Sequence, residues 1–134
     1  MMKKISVVAL ILFLAVNMLD AQPLKVTLVR ADDKQKVDVM VEGKLFTSYQ
    51  YPSNMEKPYL FPVVAPSGSV ITRGFPLEPR KGERVDHPHH IGIWFNHGNV
   101  NGLDFWNNSS AIPAARKDMY GNIVVKQIVK AKSG

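Results

Sequence analysis

The stretch Leu24–Tyr51, LKVTLVRADDKQKVDVMVEGKLFTSYQY, decides the fold. Three runs within it alternate between apolar and polar residues and are rich in β-branched and aromatic side chains, a pattern typical of half-buried strands. These runs are Leu24–Arg30, Val37–Val41 and Leu45–Tyr51. Two polar turns, ADDKQ and EGK, separate them, and a short turn containing glycine between two such runs predicts a hairpin. We therefore expect consecutive antiparallel strands here.

The sequence downstream continues the β pattern with more interruptions. Tyr59–Val64 is apolar, but Pro62 has no N–H to give to a sheet, so this run suits an edge strand or a bulge. Ser67–Arg84 carries several glycines and prolines among charged residues, which is typical of a long ordered loop. The remaining predicted elements are two strands and one short helix: Ile91–Phe95, Ile123–Val129 and Ala111–Met119. Short strands spaced by turns predict an all-β fold, an antiparallel β-sandwich.

Composition narrows the classes of function. A length of 134 residues allows one domain. The absence of cysteine excludes a disulfide scaffold, a zinc site made of thiolates and a cysteine nucleophile. The net charge is +6, but the basic residues are scattered along the chain. This distribution favours a solvated basic surface, and we expect no nucleic-acid partner.

Residues 1–21 have the pattern of a signal peptide. Lys3 and Lys4 precede an unbroken apolar run from Ile5 to Val16, and the small residue Ala21 offers a cleavage point before Gln22. The apolar run has 12 residues, whereas a membrane span needs roughly 20. We therefore expect export to the periplasm or the extracellular space, with residues 22–134 as the mature protein and no membrane span after cleavage.

The chemistry of the chain is concentrated between Glu83 and Trp106. All four histidines fall within 11 residues, next to both tryptophans: His87, His89, His90, His97, Trp94 and Trp106. In an extended backbone His87, His89 and His97 would share one face and His90 the other. Pro88 places the cluster where a loop enters a strand, and functional residues tend to collect at such positions.

A first hypothesis is acid–base chemistry on a sugar. A histidine exchanges protons near neutral pH, and a tryptophan offers a flat apolar surface on which a sugar ring can stack. The candidate catalytic residues are His87, His89, His90 and His97. The candidate substrate-binding residues are Trp94, Asn96, Asp104 and Trp106.

Two further hypotheses use the same residues. In the second, the protein binds a divalent metal or uses it in catalysis, because imidazoles two residues apart can chelate zinc, manganese or copper. The candidate ligands are His87, His89 and His97, completed by Glu83, Asp86 or Asp104. In the third, the protein is a noncatalytic sandwich whose histidines make structural hydrogen bonds.

The segment Asp86–Trp106, DHPHHIGIWFNHGNVNGLDFW, resembles the signature of a family of secreted bacterial proteins that carries the domain name methane oxygenase PmoA. The segment Arg73–Arg80, RGFPLEPR, and the early strands are similar to the N-terminal part of that family. The resemblance implies part of a β-supersandwich like that of galactose mutarotase, and a protein that binds or processes carbohydrate.

The resemblance also implies that the chain is the N-terminal part of a longer domain. In mutarotase-like enzymes a histidine protonates the ring oxygen while a carboxylate from late in the chain takes the anomeric proton. The four histidines could supply the first role, and the carboxylate would lie beyond Gly134. A sandwich without its later strands has unpaired edges, so we expect self-association through exposed edges.

Overall fold

The computed structural model describes residues 23–134, and its regular structure is a single antiparallel sheet. The strands lie side by side in chain order: β1, Val26–Ala31; β2, Lys36–Val41; β3, Lys44–Gln50; and β4, Tyr59–Val63. The predicted all-β antiparallel fold is confirmed. The second layer that a supersandwich requires stays a prediction. The predicted signal peptide, residues 1–21, lies outside the described residues.

Two tight turns set the register of the first three strands. A short 3-10 turn at Asp32–Lys34 joins β1 to β2, and Gln35 closes it with a positive φ of 50°. Glu42 and Gly43 both have positive φ, the backbone of a two-residue hairpin turn whose twist matches that of the strands. The first turn places Val26 opposite Val41, and the second places Val41 opposite Lys44.

Strand β4 is at one edge of the sheet, as Pro62 indicates. Its pairing with β3 is irregular, with a register shift between Thr47 and Tyr49. Beyond β4, Leu60 and Ile93 exchange two backbone hydrogen bonds of 2.8 and 3.0 Å. The predicted strand Ile91–Phe95 is wrong, since this one bridge is all the strand pairing it forms with residues 23–134. The reason is Gly92, whose φ of 51° takes the backbone out of the extended conformation.

The other two predicted elements also need correction. The predicted strand Ile123–Val129 has no regular pairing with any other described residue. Val124 and Val129 are 69% and 85% exposed, so no apolar face is buried to hold a ladder together. The predicted helix is shorter than expected, a 3-10 helix over Ala114–Met119 that follows Pro113. No helix in the part of the chain from residue 23 onward is long and apolar enough to cross a membrane.

The core lies where β4 meets the loops that follow it. Tyr59, Phe61 and Ile91 are buried together, and three partly buried residues pack against them: Met55, Leu77 and Trp94. The predicted long loop Ser67–Arg84 contains no helix or regular strand and is ordered by its own side chains. The Glu83 carboxylate accepts hydrogen bonds from the backbone N–H groups of Gly74, at 2.8 Å, and Phe75, at 3.2 Å.

Candidate functional site

Three of the four histidines come together with both tryptophans. We call this group, His87, His89, His90, Trp94 and Trp106, the histidine–tryptophan cluster. The rings of His87 and His90 are nearly parallel, with centroids 5.0 Å apart. The ring of His89 meets that of His90 edge-on at 4.3 Å. All three imidazoles therefore form one continuous group rather than alternating between two faces.

A local turn explains why the alternation predicted for an extended chain is wrong. His87 has a positive φ of 51°, which a non-glycine residue rarely adopts. The backbone N–H of His90 donates to the carbonyl of His87 at 2.9 Å. This turn reverses the chain around Pro88 and brings His90 to the side of His87. Backbone strain of this kind is often found at functional sites.

The tryptophans extend the group of rings into a broader surface. The ring of Trp94 lies 5.2 Å from that of His90 and 5.6 Å from that of Trp106. Trp94 is partly buried against the core, whereas Trp106 is 43% exposed. The cluster is therefore anchored on one side and open to solvent on the other.

Charged side chains hold the His87 end of the cluster. The carboxylate of Asp86 lies 3.2 Å from Nδ1 of His87. Arg73 fixes this segment by donating to the backbone carbonyls of Arg84, at 2.8 Å, and Asp86, at 2.7 Å. Desolvation raises the pKa of the Asp86 carboxyl, but the hydrogen bond from His87 and nearby positive charges outweigh it, so the net pKa is lowered.

The other two clustered histidines favour the neutral form. Desolvation is the largest cause that lowers the pKa of both His89 and His90 below the ordinary value of 6.5. The charge of His90 adds to the effect on His89, and that of His87 to the effect on His90. Because a depressed pKa leaves both imidazoles uncharged at neutral pH, each can accept a proton there.

The structure adds one residue that the sequence did not indicate. Lys57 lies in the turn before β4 and is only 3% exposed. Its Nζ donates to the backbone carbonyl of Trp106 at 2.8 Å and lies 5.5 Å from the centroid of the Trp94 ring. A lysine in a polar turn ordinarily predicts an exposed side chain, and no sequence signal marks this one as buried.

Asp104 and Asn96 support the surrounding loops. The Asp104 carboxylate accepts hydrogen bonds from the backbone N–H of Asn107, at 2.9 Å, and from its side-chain amide, at 2.7 Å. Asn96 donates to the carbonyl of Phe105 at 3.0 Å. In residues 23–134, Oδ1 of Asn96 and Nε1 of Trp94 are buried without a hydrogen-bond partner. Buried polar atoms without a partner lower the stability of the folded state and are rare in native proteins, so the loop beside the cluster departs from ordinary packing.

His97, the fourth predicted histidine, lies outside the cluster. Its Nδ1 is 3.1 Å from the carbonyl oxygen and 3.3 Å from the backbone nitrogen of Asn99, so its ring is held within its own turn. The candidate ligand Glu83 is held in the Gly74 loop. Within the described residues, no three His, Asp or Glu side chains are placed to hold a metal ion. The proposed ligand set of His87, His89 and His97 is thus not assembled.

Comparison with known proteins identifies the family of the chain. No curated protein and no solved structure matches it significantly. Residues 36–134, which include β2 to β4 and the whole histidine–tryptophan cluster, match a family of unknown function, DUF6807. The match does not link the chain to the PmoA family, and that resemblance stays a prediction. The chain belongs to the DUF6807 family.

Proposed function

We propose that the protein binds a carbohydrate on the histidine–tryptophan cluster and can carry out acid–base chemistry on it. One observation supports this most strongly: three imidazoles and a half-exposed Trp106 form a single surface that the core anchors through Trp94. A sugar ring has an apolar face that stacks on an indole and hydroxyl groups that exchange hydrogen bonds with imidazole nitrogens.

The two ends of the cluster suit different steps of proton transfer. Neutral His89 and His90 are suited to accept a proton from a sugar hydroxyl, because their lowered pKa values keep a ring nitrogen free. His87 has the Asp86 carboxylate 3.2 Å from Nδ1, and an adjacent carboxylate stabilises the positive charge that a histidine gains during transfer. We assign the role of general base to His89 or His90. We assign to His87 the role of the histidine whose positive charge the Asp86 carboxylate stabilises.

A binding screen tests this function. The purified protein is applied to a panel of neutral and acidic polysaccharides, followed by the variants Trp106→Ala and Phe95→Ala. Phe95 is a matched control, since it is aromatic, 89% exposed and outside the cluster. We expect binding of at least one glycan, a loss of roughly tenfold or more in affinity for Trp106→Ala, about 1.4 kcal/mol, and no change for Phe95→Ala. Failure of every glycan to bind, or equal loss in both variants, would refute the proposal.

Export is part of the same proposal. The basic start, the apolar run and the small residue at the end of residues 1–21 support removal of this segment during secretion. N-terminal sequencing of the protein recovered outside the cytoplasm is expected to begin near Gln22. Protein recovered there with an intact Met1 would contradict it.

Self-association through a sheet edge is a further partner proposal. The outer edge of β1 pairs with no regular strand of residues 23–134. Two hydrogen bonds cover it in part. The backbone N–H of Leu28 donates to the Ser133 hydroxyl at 3.0 Å, and the backbone N–H of Gly134 donates to the carbonyl of Val26 at 3.2 Å. The part of this edge that these contacts leave unpaired can pair with a second copy. Sedimentation analysis is expected to show dimers whose fraction rises with concentration, and a monomer at all concentrations would contradict this.

A further inference from the structure

Lys57 contacts both tryptophans of the cluster with one ammonium group. Its Nζ donates to the backbone carbonyl of Trp106 at 2.8 Å and lies 5.5 Å from the Trp94 ring centroid, within the range of a cation–π interaction. The two indoles are themselves 5.6 Å apart. Lys57 is therefore placed to fix the position of one tryptophan relative to the other.

We propose that Lys57 is a positioning residue that holds Trp94 and Trp106 together as one binding face. The proposal rests on the proposed sugar-binding role of the cluster for its functional meaning. Its structural content is independent of any ligand, because the tryptophan pair has its own spectroscopic signals.

The cost of burying Lys57 supports a role beyond filling space. A lysine is almost never 3% exposed unless its charge is compensated. The carboxylate of the neighbouring Glu56 forms its ion pair with Lys117, at 2.9 Å, and is therefore not a dedicated counter-ion for Lys57. The ammonium directly contacts the backbone carbonyl of Trp106 and the indole face of Trp94. Because the ammonium has given up water for these contacts, its removal would affect the tryptophans first.

The groups that face Lys57 make its charge responsive to pH. Glu56 and Asp104 favour the charged form, whereas His89 and His90, whose pKa values the Lys57 charge helps to lower, are uncharged at neutral pH. Burial is the largest influence and lowers the pKa of Lys57 to about 8. A neutral amine loses the cation–π contact with Trp94. The arrangement of the two indoles is therefore expected to change as the pH rises through about 8.

The test measures the tryptophan pair directly, without a sugar. Near-ultraviolet circular dichroism and tryptophan fluorescence are recorded from pH 7 to 10 on the wild type, Lys57→Met and Lys44→Met. Lys44 is an exposed lysine at the start of β3 and serves as the control. We expect a transition with a midpoint near pH 8 in the wild type and in Lys44→Met. Lys57→Met should lack this transition and show altered tryptophan bands already at pH 7.

Two outcomes would overturn the proposal. One is a wild-type tryptophan signal that does not change with pH, and the other is the same transition and the same bands in Lys57→Met as in the wild type. If Lys57→Met does not fold, nuclear magnetic resonance of the wild-type lysine side chains decides. A lysine signal that titrates together with the tryptophan signals supports the proposal, and independent titrations overturn it.

Binding measurements separate this proposal from the proposed function. In the polysaccharide panel, Lys57→Met is expected to lose about tenfold in affinity at pH 7. If no polysaccharide binds the wild type while the tryptophan signals depend on Lys57, the sugar-binding function fails and the positioning role stands. If the wild type binds and Lys57→Met has unchanged affinity and unchanged tryptophan bands, the positioning role fails and the function stands.

Discussion

The two halves of the described chain are held together by different interactions. From Val26 to Val63 the strands form a ladder of backbone hydrogen bonds, and two tight turns set the register of the first three strands. From residue 64 onward the backbone is mostly irregular, and side chains bind backbone groups in place of a ladder. Glu83 holds Gly74 in this way, and Asn108 holds Gly121. The core at Tyr59, Phe61 and Ile91 joins the two halves.

This difference explains where the candidate site lies. A ladder fixes the backbone through main-chain hydrogen bonds, which every residue other than proline can make. A loop fixed by individual side chains can hold a residue in a strained conformation, as at His87, and can converge several polar groups on one place. The histidine–tryptophan cluster lies entirely in the second half, anchored to the first through the core. Stability should therefore depend on the core that joins the two halves, which we call the junction. Binding should depend on the loops of the second half.

The junction gives the largest expected effect. Phe61 in β4 is 3% exposed and packs with Ile91 from the second half. Replacement by alanine leaves a cavity between the halves, and we expect a loss of about 3–5 kcal/mol in the free energy of unfolding. Urea unfolding of Phe61→Ala measures it, with Phe46→Ala, at a 44% exposed position of β3, as the control. A similar small loss in both variants would show that the halves are not joined there.

Side chains that bind backbone groups in the second half give the next largest effect on stability. Asn108 is 1% exposed and donates to the carbonyl of Gly121 at 2.9 Å and to the side chain of Asn122 at 2.8 Å. Asn108→Ala leaves a buried carbonyl without its partner, at a cost of about 1–3 kcal/mol in the free energy of unfolding. The exposed Asn54 provides the control variant, Asn54→Ala. Equal stability of the two variants would contradict the view that single side chains hold the second half.

Acidification should destabilise the second half through His89 and His90. Their pKa values in the folded protein lie below 6.5, so the unfolded chain binds more protons near that pH. The stability they contribute is complete above about pH 6.5, the unfolded value, and is lost as the pH falls through the folded values. The free energy of unfolding, measured from pH 7.5 to 5, should fall in the wild type and fall less in a His89→Gln, His90→Gln double variant. An identical decline in both proteins would refute this origin.

The sequence predicts the first half of the molecule much better than the second. The alternation of Leu24–Arg30 and the turn at Glu42 and Gly43 are local signals, and the observed strands follow them within a few residues. Ile91–Phe95 has the composition of a strand, but Gly92 leaves the extended conformation where it lies against the backbone of Leu60, and only the bridge between Leu60 and Ile93 forms among the described residues. Local pattern cannot foresee this, because it depends on contacts distant in the chain.

The same distinction applies to the site. The prediction from proximity in sequence grouped His87, His89 and His90 with the two tryptophans, and the structure brings these rings together because one short loop carries most of them. It also included His97, whose ring is held by Asn99 two residues away. It missed Lys57, which lies 49 residues before Trp106 and is brought to the cluster only by the packing of β4.

Replacement of His89 tests the central claim, that the cluster is built for binding rather than for stability. The variants are His89→Ala and His97→Ala, each studied by a thermal melt and by calorimetric titration with the tightest-binding polysaccharide of the panel. We expect His89→Ala to abolish binding while costing on the order of 1 kcal/mol or less in stability, as for a partly exposed polar side chain. His97→Ala, outside the cluster, should retain both. A large drop in the melting temperature of His89→Ala with unchanged affinity would show that the histidines are structural and would contradict the claim.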